Sequence, residues 1–266
     1  MLAVVLTSLS KPPEGFKAPG IEIFDFTKTC LIGDGSLCVT KVTFWMLMSS
    51  VIISALFLIA FRNPQIVPKG LQNAIESIVE FIRSGIVMEV MGREGLPFLP
   101  FLTSLFVFIW INNLFGIIPG INFPTTARMA IPMFLAILVW FVFNIVGIVK
   151  QGGLHYLKNT LFQPGVPPAL YLLVTPIEFV TVFIVRPLTL AVRLSANMIA
   201  GHLMLTIFFV GTWYLQWKLI SIPMAAVSFA LGTFITAFEV LVGVLQAYIF
   251  TILTAVYIAG AIHPEH

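Results

Sequence analysis

The chain has 266 residues, of which 59% are hydrophobic and only 9% charged, with 25 Phe among them; an ordinary soluble domain carries roughly a quarter charged residues. A mean hydropathy of +1.04 leaves too little polar surface to cover one soluble core, which excludes a soluble enzyme, a nucleic-acid reader and a disordered chain. The net charge of +3 points to no acidic partner, and the class is a polytopic membrane protein.

Residues 1–41 carry eight of the charged positions, from Lys11 to Lys41, and read as a polar amino-terminal extramembrane segment. The opening MLAVVLTSLS has no basic n-region and is a poor signal peptide. Cys30 and Cys38 flank Gly33-Asp34-Gly35, which reverses the chain. They form a disulfide if this end faces an oxidising exterior, and are otherwise two thiols. Residues 42–266 read as a single helical membrane domain. Val42 to Phe61 is a charge-free run of 20 residues, enough to cross a hydrocarbon core of about 30 Å.

In Leu71 to Met91 the apolar residues Leu71, Ile75, Ile78, Val79, Ile82, Ile86 and Val90 recur at helical spacing. Gln72, Glu76, Glu80, Arg83 and Glu89 fill much of the rest. This predicts an amphipathic helix in the membrane surface, or else one covering another subunit. Gly95 to Ala127 holds a second crossing that ends at a turn around Pro119-Gly120, and Met129 to Val149 holds a third. Ala169 to about Val210 and Leu219 to Ala261 are each too long for one upright helix, since 40 residues of helix reach about 60 Å. They predict a long tilted helical hairpin at the carboxyl end, with its turn at Gly211 to Lys218 and kinks at Pro176 and Pro187. The fold class is therefore all-α polytopic, with about five crossings and the termini on opposite sides. Near the crossings, Lys and Arg number six against four in favour of the amino end outside and the carboxyl end cytoplasmic. The lack of an Arg-rich, acid-poor presequence favours a bacterial plasma membrane.

Four charges lie within the apolar sequence: Glu178, Arg186, Arg193 and Glu239. Each costs at least ~3 kcal/mol at the bilayer centre, so each must face protein, water or a partner. Arg186 and Arg193 are seven apart and share a helix face to within roughly 20°. Arg186, beside Pro187, is either an interfacial anchor or part of this polar line. Asn197 and Gly201 follow Arg193 at successive turns, and His202 lies on roughly the opposite side. On the last long run Ser228, Gly232, Thr236, Glu239, Gly243, Gln246 and Tyr257 fall in one narrow sector. Small residues in such a seam serve helix packing, but an unpaired carboxylate needs water, a proton or a partner. Of the four His, His202 alone lies within a span, which excludes a paired-His haem. No metal-binding His-Glu-x-x-His, Gly-x-Ser-x-Gly or phosphate-loop motif is present. A buried Arg with carboxylates and one His suits proton movement.

The segment Arg186 to Leu203, with its Arg-Leu-x-x-Asn-Met-x-Ala-Gly core, resembles the membrane subunit a of F-type ATP synthases. Asn113-Leu-Phe-Gly-Ile-Ile-Pro-Gly120 and the run Leu245 to Tyr257 are similar to two further elements of that family. The likeness extends from about Val42 to the end. It implies a proton-translocating stator subunit without catalysis or cofactor of its own. Its implied partners are a rotating c-ring, met by the last two long helices, the stator b subunits and the lipid bilayer. By the same resemblance Arg193 matches the arginine facing the ring carboxylates, Asn197 its polar companion, and Gln246 the glutamine near it. Many bacterial members have Glu where His202 stands and His where Glu239 stands, so the two are exchanged here. Glu178 matches the acidic residue of the other half-channel, with a spacing to Arg186 one residue longer than the family pattern. The resemblance leaves proton and sodium coupling both open; from the residues alone, a passive ion channel or a scaffold subunit is the rival.

Overall fold

The computed structural model describes Gly20 and residues 30–32, 39–118, 125–162, 171–216 and 222–262. The protein is an all-α polytopic membrane protein, and among the described residues five helical rods are long and apolar enough to cross a bilayer. A small antiparallel ribbon precedes them. It joins β1 (Cys30–Ile32) to β2 (Val39–Thr40), with Cys30 opposite Thr40 and Ile32 opposite Val39. The turn expected at Gly33-Asp34-Gly35 falls in the sequence between the two strands. Those residues and Cys38 lie outside the described residues, and the Cys30–Cys38 pairing with them.

The first rod, α1 (Lys41–Ala60), runs straight out of the ribbon and stands at the edge of the molecule with most of its side chains open to the surroundings. It touches the core through Ser49, Ile53 and Phe57. The second rod, Leu71–Phe115, is continuous over 45 residues but changes winding three times. It begins as α2 (Leu71–Ile82), widens to a π-helical stretch (Arg83–Met91), tightens to a 3-10 stretch (Gly92–Phe98) and ends as α3 (Leu99–Phe115). The change at Gly92 has a local cause. Its φ of +64° is in the left-handed region that glycine enters without a Cβ clash.

The amphipathic expectation for Leu71 to Met91 needs one correction. The apolar stripe exists, with Ile75, Ile82, Ile86, Val87 and Met91 all buried, but it does not lie open to lipid or to another subunit. It packs into this chain's own core, where the Phe81 ring meets Phe106 and Tyr248 at 6.2 and 5.7 Å. Burying that stripe inside the molecule gains the hydrophobic term without a membrane surface.

The third rod is α4 (Ala130–Gln151), followed across Gly152 (φ +82°) by the short α5 (Gly153–Leu161). The corner is built on close contact: the Tyr156 ring covers Gly147, and its hydroxyl donates to Asn144 Oδ1 at 3.2 Å. Burial pushes the Tyr156 hydroxyl pKa above its usual value of 10.0, which keeps it a neutral donor. Gly147→Ala would drive a methyl into the ring. The expected cost is about 1–3 kcal/mol, read as a lower dissociation midpoint of the assembled complex on heating, with part of the loss recovered when Tyr156→Ala is added. An unchanged midpoint would mean that the corner yields freely.

The fourth rod, Tyr171–Leu215, is again 45 residues long, and the fifth, α8 (Ile222–Ile262), has 41. The fourth consists of α6 (Tyr171–Val180), a π-helical stretch (Thr181–Val185) and α7 (Arg186–Leu215). Pro176 is carried inside α6, and Pro187 sits in the first turn of α7. Proline withholds its N–H from the carbonyl four residues back. Ahead of Pro187 the helix answers with wide π turns instead of ending. The fourth rod runs on through part of the turn expected at Gly211 to Lys218. Gly211 remains helical, and the helix reaches Leu215 because α8 packs against it there, with Ser228 Oγ against Gly211. Residues 217–221 lie outside the described residues, as does Pro119-Gly120. Rods of 45 residues exceed twice the bilayer core at about 1.5 Å per residue, so they tilt or project beyond it. The core joins α2, α3, α4, α7 and α8, with Ile82, Leu102, Phe143, Leu194, Phe250 and Ile258 among its fully buried side chains.

Candidate functional site

The site is built where α7 and α8 lie side by side. Small residues on α8 set the spacing, as the seam of Ser228, Gly232, Thr236, Glu239, Gly243 and Gln246 predicted. Ser228 Oγ donates to the Phe208 carbonyl at 2.9 Å, and Gly232 accepts the side chains of Phe208 and Phe209 against its bare backbone. One turn past Thr236, the carboxyl of Glu239 lies over Gly201. A Cβ at Gly201 would stand 2.8 Å from Glu239 Oε1. The glycine one turn beyond Asn197 therefore admits a carboxylate.

Glu239 is 7% exposed and Gln246 6%. Both Glu239 oxygens and Gln246 Nε2 lack a hydrogen-bond partner among the described residues. Unpaired polar atoms in an apolar interior cost several kcal/mol, so this stretch of α8 calls for protons or water. His202 is buried on α7 directly after Gly201, which brings the imidazole and the carboxylate of the exchanged pair to the same level of the hairpin.

Between Glu239 and Gln246, α8 is tied to the second rod. Asn113 Nδ2 donates to the Gly243 carbonyl at 3.1 Å, and Asn113 Oδ1 accepts from Thr126 Oγ1 at 2.8 Å. A second set runs beside it: Thr125 Oγ1 donates to Asn112 Oδ1 at 2.7 Å, and Asn112 Nδ2 donates to Ser49 Oγ at 3.1 Å. These buried amides and hydroxyls join α1, α3, α8 and the 3-10 turn Thr125–Ala127. Next to that turn, Ser195 Oγ donates to Met129 Sδ at 3.5 Å, so the loop after α3 reaches down to within two residues of Arg193. Sequence reasoning quoted the Asn113 element but did not place Asn112, Thr125 or Thr126 at the site. Two adjacent Asn in an apolar run, answered by two adjacent Thr thirteen residues on, was the available signal.

Arg193 goes elsewhere. It stands at the midpoint of the rod Tyr171–Leu215 and is exposed on the outer face, with Val192 and Leu188 exposed around it on α7 and Phe238, Leu241 and Leu245 exposed on α8. It forms no ion pair with another described residue. Asn197, one turn on, is half-buried, so the line Arg193, Asn197, Gly201 rotates from the outer face into the α7–α8 contact. Tyr257 does not join this group. It lies under the Arg186 guanidinium, 5.2 Å from ring centroid to Cζ, with Phe143 at 5.9 Å. Glu178 is half-buried on α6, across the π-helical stretch from Arg186.

A cation at mid-span on an apolar outer face, beside a buried stripe short of partners, is the arrangement to compare with known proteins. Residues 43–259 match the family model described as the ATP synthase A chain. The chain belongs to that family. A relative named ATP synthase subunit a from Rhodococcus erythropolis is 42% identical, with 94% of this chain and 92% of the relative covered. Proteins of the same name from Frankia alni and Hyphomonas neptunium are each 40% identical, covering 95% and 92% of this chain and 89% and 96% of their own length. At 94% coverage the alignment enters residues 1–41, where the sequence motifs offered no likeness. Family membership agrees with a membrane subunit of an ATP synthase, and the resemblance drawn from Arg186 to Leu203 led to the same family.

Proposed function

We propose that this chain is the proton-translocating stator subunit of a bacterial plasma-membrane F-type ATP synthase, its amino end outside and its nucleotide chemistry left to other subunits. The observation that carries the reading is Arg193, exposed at mid-span among apolar side chains. A guanidinium there costs at least ~3 kcal/mol in lipid, so a partner with buried negative charge must cover it. A ring of c subunits bearing carboxylates meets that need, and the stator b subunits hold this chain against the ring's rotation.

Two offset half-channels lead to the ring in this mechanism. The outer one runs past Asn113, Glu239, His202 and Gln246; the Glu239 oxygens and Gln246 Nε2, buried without a hydrogen-bond partner among the described residues, call for water or protons. The inner one approaches past Glu178, with Tyr257 beside Arg186 at the inner ends of the long rods. Arg193 and Asn197 stand between them. A ring carboxylate arriving at Arg193 is held in its charged form by the opposite charge. It releases its proton inward and takes another from the outer side. The guanidinium is not deprotonated in proteins, so it also blocks a direct leak. Each charge crossing 100 mV gains about 2.3 kcal/mol, and each pH unit adds about 1.4 kcal/mol.

The test is ATP-driven proton pumping in inverted vesicles carrying Arg193→Ala, with hydrolysis and passive leak recorded together. Pumping is expected to disappear while the complex remains assembled, and passive leak to rise. Normal pumping would reduce Arg193 to a structural cation and return the passive-channel or scaffold reading.

A further inference from the structure

We propose that the loop joining α1 to α2 is a binding site for the headgroup of an anionic phospholipid. Between the end of α1 and the start of α2 lies an open cavity of about 380 Å³, lined by Arg62, Lys69, Asn63 and Gln65 on its polar side and by Ile59 and Leu71 on its apolar side. Both cations stand on one short loop, and neither forms an ion pair with another described residue. The loop has a fixed base. Gln72, buried at the start of α2, accepts from Gln65 N at 3.1 Å through Oε1 and donates to the Gln65 carbonyl at 3.0 Å through Nε2. Its Nε2 also donates to Glu76 Oε1 at 2.7 Å. That clasp fixes the loop that carries the two cations; its one charged member, the Glu76 carboxylate, does not line the cavity.

Position selects a lipid over a soluble anion. The cavity opens where the apolar rod α1 ends at Ala60, which is the level of a membrane surface on either orientation of the chain. Phe61, Ile66 and Val67 are exposed around it, Ile66 completely. Exposed apolar side chains at such a level enter the acyl region, while Lys and Arg reach up to phosphate. The cavity thus offers cations and amides to a phosphodiester, and an apolar wall to the chains below it. A zwitterionic headgroup brings its own cation close to Arg62 and Lys69 and is disfavoured; a net negative headgroup is not. This site uses no residue of the coupling path, so it stands or falls independently of the mechanism above.

The experiment uses the whole ATP synthase complex in phosphatidylcholine nanodiscs doped with photoreactive phosphatidylglycerol, or with the matching photoreactive phosphatidylcholine. Crosslinks are mapped by mass spectrometry to the peptide around residues 59–72. Phosphatidylglycerol is expected to label this peptide strongly and phosphatidylcholine weakly. Each Lys or Arg beside an anionic surface contributes a factor of about five in binding, so Arg62→Gln with Lys69→Gln should lower phosphatidylglycerol labelling roughly 30-fold at subsaturating lipid. The charge-preserving Arg62→Lys with Lys69→Arg should retain most of it, which separates lost charge from a disturbed loop. Equal labelling by the two lipids, or labelling that survives Arg62→Gln with Lys69→Gln, would overturn the proposal. Displacement of the label by excess inorganic phosphate would overturn the lipid assignment in favour of a free anion.

Discussion

Arg193→Lys is expected to assemble normally and still to pump no measurable protons. The substitution keeps a positive charge at mid-span, so an argument from charge alone predicts survival. Lysine differs in two ways that matter at this position. Its ammonium is a compact, strongly hydrated point charge that loses its proton when desolvated, whereas guanidinium does not. It also lacks the planar fork that grips a carboxylate through two parallel bonds. Losing one charge-assisted hydrogen bond costs about 1.5–3 kcal/mol, which alone slows a coupled step roughly 10- to 150-fold, before any leak through a neutral amine is counted. Because Arg193 is exposed and forms no ion pair with another described residue, the exchange leaves the packing of α7 untouched. A failure of pumping is then a failure of coupling. Dye-quenching rates in inverted vesicles, normalised to assembled complex, read the result; full pumping by Arg193→Lys would reduce the role of Arg193 to electrostatics at a distance.

The second large effect is expected at Gly201, which carries no functional group. Gly201→Ala places a methyl 2.8 Å from Glu239 Oε1, closer than carbon and oxygen approach without a shift. Either the carboxyl swings away or α7 and α8 separate. Forcing such a group into a packed contact costs about 1–3 kcal/mol, and pumping should fall by roughly tenfold through displacement of Glu239. Shortening the acid relieves the clash, so Gly201→Ala with Glu239→Asp should pump better than Gly201→Ala alone, although Glu239→Asp by itself slows pumping. That sign reversal identifies a contact between the two positions and not two independent losses. If Gly201→Ala pumps as the parent does, the carboxyl has room to move and its position is not what limits the outer path.

Most of the architecture was legible because membrane helices follow from simple rules: charge-free length for the crossings, and spacing at 100° for the faces. Val42 to Phe61 and Met129 to Val149 lie close to α1 and α4. The seam on α8 was legible for the same reason, since Gly232, Glu239, Gly243 and Gln246 are small or polar in an otherwise apolar run and all prove buried. What escaped was whatever depends on a second element. Periodicity identified an apolar stripe from Leu71 to Met91 but not what covers it, because lipid and a neighbouring helix ask for the same side chains. Gly211 read as a turn because glycine alone looks like one; its helical course beside Ser228 of α8 could not be read from the run itself. Tyr257 fell in the right sector by angle, yet 18 residues beyond Glu239 it lies too far along the axis, roughly 27 Å at 1.5 Å per residue, to share one site. The Asn112 and Asn113 links to Thr125 and Thr126 cross a turn, and helical spacing carries no information across turns.

The π-helical stretch Thr181–Val185 acts as a phase corrector. Eight residues separate Glu178 from Arg186. On a regular α-helix that count would rotate one about 80° away from the other, since each residue turns roughly 100°. An i→i+5 ladder turns only roughly 80° per residue, so five such residues among the eight return the total to within about 20° of two full turns. The eighth residue of the separation is thereby cancelled in azimuth. Glu178, Arg186 and Arg193 then fall along one line of the rod, with the same angular relation that two seven-residue steps of plain helix would give. A residue added to or removed from this stretch would turn Glu178 off that line unless the winding changed with it.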